Sequence, residues 1–266
     1  MRRVAIVTGA NSGIGAATAL ALARNDTAVI VAYKQVPVWD DTGTPAKYNE
    51  SRMTSGEVVA SMIRDSGGRA AAIDADLLEA KSAGTLFDFA QESFGPVNIL
   101  VHNASGWLRG DSFTAGVVDE AGRTSAEVND ELIDRTFGVD ARAGALLMSQ
   151  FTARYLARGG TWGRIVALTS GGRDGFPGEV SYGAAKAALE SYTLSAAREL
   201  AKSGVTANIV YPPVTDTGWV NDGVRAFVDS SADHIHVADP SDVAEVIVWL
   251  CSDAARMITA NIIRMR

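Results

Sequence analysis

The sequence predicts an α/β fold with a doubly wound, seven-stranded parallel sheet and helices on both of its faces. Two observations predict it. Short runs of apolar, β-branched residues alternate with longer helical patterns along the whole chain. The runs are apolar at successive positions, as in parallel strands that are buried on both faces. Because no linker or internal repeat interrupts this alternation, residues 1–266 are expected to form a single domain of the Rossmann type.

The predicted elements follow from these apolar runs and periodic patterns. The predicted strands are Val4–Val7, Ala28–Ala32, Ala70–Ile73, Ile99–His102, Ile165–Leu168, Ala207–Val210 and Asn261–Ile263. The predicted helices are Gly15–Arg24, Ser55–Asp65, Ala83–Phe94, Asp130–Arg158, Ser181–Lys202 and Ser241–Cys251. The last helix has a clear start signal, since proline and capping residues are favoured at the beginning of a helix.

Three stretches lack regular periodicity and are predicted to be long loops. They are Gln35–Thr54, Gly106–Asn129 and Pro212–Asp239, and each follows a predicted strand. Open α/β sheets bind their ligands at this carboxyl edge of the strands. We therefore expect a ligand site there, with residues 212–239 as a movable cover.

Composition excludes several classes of function. The net charge of −7 and the pI of about 5.0 argue against a nucleic-acid partner, because phosphate binding needs a basic surface. No apolar run approaches the roughly 18 residues of a membrane span, and the single cysteine, Cys251, cannot form an internal disulfide. We expect a cytoplasmic protein without a membrane partner. His234 and His236 lack an obvious third ligand, so no metal site is expected.

A glycine-rich turn follows the first predicted strand in the segment VTGANSGIG, residues 7–15. Gly9 permits a tight turn, Gly13 lets the backbone approach a ligand, and Gly15 lets the next helix pack closely on the strand. Backbone N–H groups and the positive end of that helix then face whatever binds. The segment predicts a site for a pyrophosphate, although a Gly-rich turn by itself is also compatible with a plain tight turn.

Tyr182 and Lys186 are four residues apart on a predicted helix and therefore share one face. The ammonium is expected to lower the pKa of the phenol and make it a proton donor for a carbonyl oxygen. Ser170 ends a buried strand twelve residues before Tyr182, where its hydroxyl could bond the same carbonyl. Thr169 is the alternative, and either hydroxyl could instead only cap the strand end.

Together these motifs resemble the short-chain dehydrogenase/reductase family over nearly the whole chain, from Val4 to about Ile263. The family's T-G-x-x-x-G-x-G and Y-x-x-x-K motifs are both met. Its Asp after the third strand corresponds to Asp76, and its N-A-G after the fourth strand appears as Asn103-Ala104-Ser105. The most similar subgroup is that of the 3-oxoacyl-carrier-protein reductases, whose members act on many ketones and alcohols.

The resemblance implies an NAD(P)(H)-dependent oxidoreductase that transfers a hydride between the cofactor and a small ketone or alcohol. Ser170, Tyr182, Lys186 and Asp140 are the implied catalytic residues, with Tyr182 as acid and base. The implied cofactor-binding residues are Thr8, Gly9, Asn11, Ser12, Gly13, Ile14, Gly15, Tyr33, Lys34, Asp76, Leu77, Asn103, Ala104, Ser105, Tyr182, Lys186, Pro212, Val214 and Thr217. A homodimer or homotetramer is expected on the same ground.

The chain departs from the family pattern in ways that keep a second function open. Asp140 stands where the family often has an Asn that supports a water relay, and it adds a negative charge near Lys186. Pro213 replaces the glycine of the P-G that follows the sixth strand, and the chain stops where relatives usually continue through a Gly-Gly segment. A cofactor-binding regulator or structural protein without turnover is therefore the alternative.

The end of the second predicted strand bears on the choice of cofactor. Relatives that prefer NAD tend to have Asp where Tyr33 stands, and an Asp would repel a 2′-phosphate. Lys34 adds a positive charge at the next position, which suits that phosphate. Ser12 points the other way, because some NADP-dependent relatives have Arg there. On balance the sequence predicts a preference for NADP(H).

Overall fold

The strands are defined in a computed structural model that describes residues 3–36, 44–114, 116–171 and 175–266. They are β1 (Arg3–Thr8), β2 (Thr27–Tyr33), β3 (Ala70–Asp74), β4 (Ile99–His102), β5 (Asp111–Ser112), β6 (Ala126–Glu127), β7 (Gly163–Leu168), β8 (Val205–Tyr211) and β9 (Ile262–Arg264). Within the described ranges, seven of them form one parallel sheet in the order β3-β2-β1-β4-β7-β8-β9. The short strands β5 and β6 pair separately.

The helices fill the intervals between the strands. They are α1 (Gly13–Arg24), α2 (Ala46–Met53), α3 (Gly56–Asp65), α4 (Ser82–Phe94), α5 (Asp130–Thr136), α6 (Ala143–Ala157), α7 (Val180–Leu200), α8 (Asp222–Ser230) and α9 (Pro240–Leu250). A π-helix, Phe137–Arg142, joins α5 to α6, and a short 3₁₀ helix, Ala201–Ser203, follows α7. Among the described residues, no helix is long and apolar enough to cross a membrane.

Helices cover both faces of the sheet, which confirms the predicted fold class. Alternate residues of β1 belong to two separate cores, because successive side chains of a strand point to opposite faces. Val4 and Ile6 lie in the core that also contains buried residues of α4, α6 and α7. Ala5 and Val7 lie in the core that contains residues of α1, α3 and α9. Buried β-branched and small residues thus let two helical layers approach one sheet.

The predicted elements are present with ends shifted by at most two residues, except that the single helix predicted over Asp130–Arg158 is divided by the π-helix into α5 and α6. The three predicted loops contain more regular structure than expected. The stretch 35–54, part of which lies outside the described residues, contains α2. The stretch 106–129 contains β5 and β6, and the predicted cover, 212–239, contains α8. The α8 helix begins where the Asn221 side chain accepts a hydrogen bond from Val224 N, and it buries Val224 and Val228.

The order of the strands reverses between β1 and β4, and this reversal positions the site. From β1 the chain proceeds outward to β2 and β3, then returns to β4 on the other side of β1 and proceeds outward again. The loops that leave β1 and β4 therefore diverge and leave a crevice at their carboxyl ends. The glycine-rich turn lies on one side of this crevice, and the segment that begins at Asn103 lies on the other.

Candidate active site

The glycine-rich turn between β1 and α1 has backbone geometry that requires glycine. Gly9 has a φ of +63°, and a Cβ there would lie 2.9 Å from the Cα of Ala104. A Cβ on Gly15 would collide with the carbonyl oxygen of Gly9. The turn can therefore pack tightly against the end of β4 while the N-terminus of α1 faces the crevice, which makes it a suitable anion site.

Thr8 connects the turn to the end of β4. Its hydroxyl oxygen accepts hydrogen bonds from the backbone N–H groups of Asn103 and Ala104, each at 3.1 Å. The hydroxyl lies 3.1 Å from Nδ1 of His102, and because it already accepts twice, it donates its proton to that nitrogen. The Asn103 side chain donates to the carbonyls of Thr8 and Gly9 at 3.0 and 3.1 Å. These bonds fix the two sides of the crevice relative to each other.

His102 is completely buried at the end of β4 and extends this network. With Nδ1 accepting from Thr8, its Nε2 carries the proton and donates to the Asp140 carbonyl at 3.2 Å. Burial, and secondly the charge of Lys186, lower the pKa of His102 to about 4. The ring is therefore neutral at physiological pH and keeps one tautomer. Sequence analysis did not single out His102 as a site residue; its one signal there is that a polar residue ends an apolar strand.

Asp140 and Lys186 form a buried ion pair. Asp140 lies in the π-helix, its Oδ1 is 2.8 Å from Lys186 Nζ, and the side chains are 0% and 2% exposed. Lys186 also donates to the Leu168 carbonyl at 2.9 Å. The other carboxylate oxygen of Asp140 accepts from Gly106 N at 2.8 Å and from the Ser105 hydroxyl at 3.4 Å. Burial alone would lower the pKa of Lys186, but Asp140 and Tyr182 together outweigh burial, and the pKa is raised.

Tyr182 lies on the same face of α7 as Lys186, as the spacing predicts. The Lys186 ammonium is 5.5 Å from the centre of the Tyr182 ring. The expectation that the pKa of Tyr182 is lowered is wrong, because burial raises it to about 12 and outweighs the opposing effect of Lys186. Asp140 and Glu179 act in the same direction as burial. At neutral pH the phenol is a protonated donor.

The two candidate hydroxyls after β7 have different environments. Thr169 is buried, and its hydroxyl donates to Glu190 Oε1 at 2.6 Å. Ser170 is partly exposed, and its hydroxyl has no hydrogen-bond partner among the described residues. Because Thr169 already donates to Glu190, its hydroxyl is less available to a substrate oxygen than that of Ser170, and the choice of Ser170 stays a prediction.

A cavity of about 360 Å³ occupies the crevice. The predicted cofactor-binding residues that line it are Thr8, Gly9, Asn11, Ser12, Gly13, Ile14, Tyr33, Lys34, Asp76, Leu77, Asn103, Ala104, Ser105 and Thr217. The remaining predicted residues lie outside this lining: Gly15, Tyr182, Lys186, Pro212 and Val214. The glycine-rich turn and the size of the cavity suit the phosphates of a dinucleotide.

Some cavity residues make contacts that the sequence did not suggest. The Asn11 side chain donates to the carbonyls of Arg52 and Thr54, so it anchors α2 to the turn. The Tyr33 hydroxyl is 3.0 Å from Ser55 Oγ. Lys34 Nζ is 3.3 Å from Asp74 Oδ1 in an exposed ion pair, which is weak in water and which a phosphate can displace.

A network of polar contacts centred on Glu179 lies beside Tyr182. Sequence analysis did not predict it. Glu179 Oε2 accepts from Trp107 Nε1 at 2.6 Å, and its Oε1 is 4.0 Å from Arg123. The guanidinium of Arg123 lies over the rings of Trp107 and Trp219, 4.9 and 5.4 Å from their centres. Glu179 thus connects the segment that follows β4 to the start of α7, and Arg123 extends the network to Trp219 after β8.

We expect Glu179→Gln to change how stability depends on pH. Burial raises the pKa of Glu179 to about 7 from 4.5, against opposing effects of Trp107 and Arg123, while Asp119 and Asp111 raise it further. The folded protein therefore holds a proton that the unfolded chain loses, and the free energy of unfolding falls as pH rises between those values. The fall due to this group is at most about 3 kcal/mol.

Urea unfolding of wild type and Glu179→Gln across this pH range measures the difference. We expect the two stability curves to converge, or to cross, as pH rises to about 7. Glu199→Gln is the matched control, because Glu199 is an exposed carboxylate on the same helix, and its curve should stay parallel to that of wild type. Parallel curves for Glu179→Gln would contradict the prediction.

The fold and the site define a class: a glycine-rich dinucleotide turn at the reversal of strand order, beside a Tyr–Lys pair, characterises a nicotinamide-dependent oxidoreductase. The family model described as enoyl-(acyl carrier protein) reductase matches residues 9–265. The chain belongs to the short-chain dehydrogenase/reductase family, which confirms the resemblance seen in the sequence. It is an NAD(P)-dependent oxidoreductase, and the alternative of a protein without turnover is not favoured.

Three similar proteins illustrate the relationship. A short-chain type dehydrogenase/reductase from Picea abies is 34% identical, covering 99% of this chain and 90% of its own. A 3-oxoacyl-[acyl-carrier-protein] reductase from Synechocystis sp. is 29% identical over 97% of this chain and 93% of its own. The crystal structure of the angucycline C-6 ketoreductase LanV with bound NADP has a TM-score of 0.76 and 28% identity, covering 98% of this chain and 93% of that chain.

Proposed function

We propose that the protein reduces a small ketone, or oxidises the corresponding alcohol, with NADP(H) as its preferred cofactor. The observation that carries this proposal is the Tyr182–Lys186–Asp140 cluster at the carboxyl ends of the strands, beside the cavity. The bound NADP in the similar ketoreductase LanV supports the choice of cofactor and substrate class.

The residues around the cavity fit a nicotinamide dinucleotide. We assign the pyrophosphate to the glycine-rich turn, where Gly13 and Ile14 begin α1. We assign the adenine to the segment at Asp76 and Leu77, and the adenosine ribose to the end of β2 at Tyr33 and Lys34. When bound, the nicotinamide ring supplies or accepts the hydride.

The chain's own residues supply the proton and hold the substrate. Tyr182 donates its hydroxyl proton to the carbonyl oxygen as negative charge develops there, and Ser170 binds the same oxygen. Lys186 places its ammonium beside the phenol and favours the phenolate that forms. Its ammonium donates to the Leu168 carbonyl and forms an ion pair with Asp140, which leaves N–H capacity for a ribose hydroxyl.

Asp140 acts in this proposal as a positioning residue. Its carboxylate holds Lys186 and the backbone N–H of Gly106, so it fixes the ammonium relative to the segment after β4. This role replaces the water relay that the family's Asn supports.

The experiment that tests the function is a panel of ketones and alcohols assayed with NADPH and with NADH, followed by the absorbance of the reduced nicotinamide. We expect turnover of at least one ketone, with a higher kcat/KM for NADPH. Tight cofactor binding without turnover across a broad panel would contradict the proposal.

We also propose that the protein forms a homodimer or homotetramer, which light scattering distinguishes from a monomer. The cytoplasmic location stays a prediction.

Lys34→Ala is expected to weaken NADPH binding by about tenfold and to leave NADH binding nearly unchanged, because only NADPH carries the 2′-phosphate. Lys34 lies at the rim of the cavity and pairs only weakly with Asp74. Titration of both reduced cofactors measures the effect. Lys202→Ala is the matched control, since it removes the same charge at an exposed position after α7. Tighter binding of NADH than of NADPH, unchanged in Lys34→Ala, would refute the assignment.

A further inference from the structure

The helix α2 lies over the cavity and connects two sides of it. On one side the Asn11 side chain of the glycine-rich turn donates to the carbonyls of Arg52 and Thr54, at 3.3 and 2.9 Å. On the other side Gly218 packs against the backbone of Tyr48, where a Cβ on the glycine would be 3.3 Å from the Tyr48 Cα. None of the residues of α2 is fully buried, so its position depends on these contacts more than on a core of its own.

Two arginines on different elements approach the cavity from this side. Arg52 on α2 donates to the Trp107 carbonyl at 3.0 Å, and Arg135 on α5 donates to the Gly106 carbonyl at 3.1 Å. Both line the cavity. Since consecutive carbonyls hold the two guanidinium groups, the positive charges are kept near each other at one wall.

Neither arginine has a carboxylate within 4.0 Å among the residues that the structure describes. Burial lowers the pKa of Arg135, and the charge of Arg52 lowers it further. Asp76 and Glu131 oppose this effect from a greater distance. A pair of like charges that are close, partly desolvated and without an anionic partner is stabilised by a bound anion.

We propose that Arg52 and Arg135 bind the pyrophosphate of the nicotinamide cofactor from the side opposite the glycine-rich turn. Arg52 is anchored through its backbone to Asn11 in the turn, and its side chain reaches across the crevice to the segment after β4. The guanidinium group matches phosphate oxygens in a bidentate geometry. Lys34, at the end of β2, remains assigned to the 2′-phosphate. The proposal rests on cofactor binding in this cavity and does not need the preference for NADP(H).

Calorimetric binding to the full-length protein tests this assignment with ligands that carry different phosphates. The variants are Arg52→Gln and Arg135→Gln, and the ligands are ADP, NADH, NADPH and 2′-AMP. We expect each variant to bind ADP, NADH and NADPH about tenfold more weakly or worse, and by similar factors. Binding of 2′-AMP should be unchanged, and the salt dependence of ADP binding should become shallower.

The controls separate charge from structure. Arg52→Lys keeps the positive charge and should retain part of the lost affinity. Arg154→Gln removes an arginine that pairs with Asp88 on the surface, away from the cavity, and should bind all four ligands like wild type. Thermal unfolding of the ligand-free variants checks that they fold. If Arg52→Gln does not fold, the same binding comparison is made with Arg135→Gln.

Three results would overturn the proposal. ADP and both dinucleotides could bind both variants within twofold of wild type, which would remove any phosphate role. NADPH and 2′-AMP alone could weaken, which would place the arginines at the 2′-phosphate. All four ligands could weaken equally, which would mean a general disturbance of the cavity. A wild-type preference for NADH would contradict the proposed cofactor and leave the pyrophosphate assignment standing.

Discussion

Tyr182→Phe is expected to lower kcat for carbonyl reduction by about a hundredfold or more, the usual scale for the loss of a general acid. The change removes the hydroxyl and keeps the ring, whose centre lies 6.3 Å from that of Phe176. Because the side chain lies outside the lining of the crevice cavity, the dissociation constant of the reduced cofactor should change little. Steady-state kinetics and cofactor titration measure the two effects.

The pKa of about 12 adds a second expectation for the same residue. The phenol keeps its proton across the neutral range, so the rate of reduction in wild type should not show a titration of Tyr182 near pH 7.

Tyr192→Phe is the matched control for Tyr182→Phe, because Tyr192 lies on the same helix and is 48% exposed. Tyr182→Phe with more than a third of the wild-type kcat would show that another group donates the proton.

Lys186→Met should have the second large effect, on stability as well as on turnover. The change leaves the Asp140 carboxylate buried and without its cation, and breaking a buried ion pair in this way lowers the free energy of unfolding by about 3–5 kcal/mol. Urea denaturation measures the loss. Arg154→Met is the comparison, since its exposed pair with Asp88 should contribute only about 0–1 kcal/mol.

A double-mutant cycle with Asp140→Asn identifies the cause of that loss. In wild type, Gly106 N and Lys186 Nζ each face a separate carboxylate oxygen of Asp140, whereas an Asn side chain has only one oxygen. Asp140→Asn alone should therefore lower the free energy of unfolding by about 1–3 kcal/mol. The double variant, Lys186→Met with Asp140→Asn, should lose less than the sum of the two single changes, because no unpaired charge remains. Additive losses would mean that the pair is not coupled.

Much of the fold could be predicted because its signals are local. Strands such as β1 and β4 are runs of apolar residues with no polar interruption, and glycines at fixed spacing mark the turn. The Tyr182–Lys186 pair could be placed on one face because helical spacing alone brings the two residues together. The α8 helix also has a local signal in the sequence, with Asn221 as N-cap followed by Val224 and Val228 on one face.

The rest depends on contacts between distant segments. The α2 helix has no buried residue and a polar composition, so no periodicity marks it, and its anchors on Asn11 and Gly218 lie far away in sequence. The expected lowering of the Tyr182 pKa was wrong because burial, which raises the pKa, is a property of the folded chain and cannot be read from the sequence. The spacing of the sequence shows only the opposing neighbour, Lys186. Glu179 and Trp107 are 72 residues apart and have no spacing rule.

The π-helix between α5 and α6 limits how this chain can vary in length. Each residue of a regular helix advances the chain by about 100° around the axis, so removing one residue from 137–142 would rotate the two flanking segments against each other by that amount. Either Asp140 would then leave Lys186, or Leu147 and Phe151 would turn out of the core. A single-residue deletion within 137–142 is therefore expected to lower stability far more than a deletion in an exposed connection such as the one after α7.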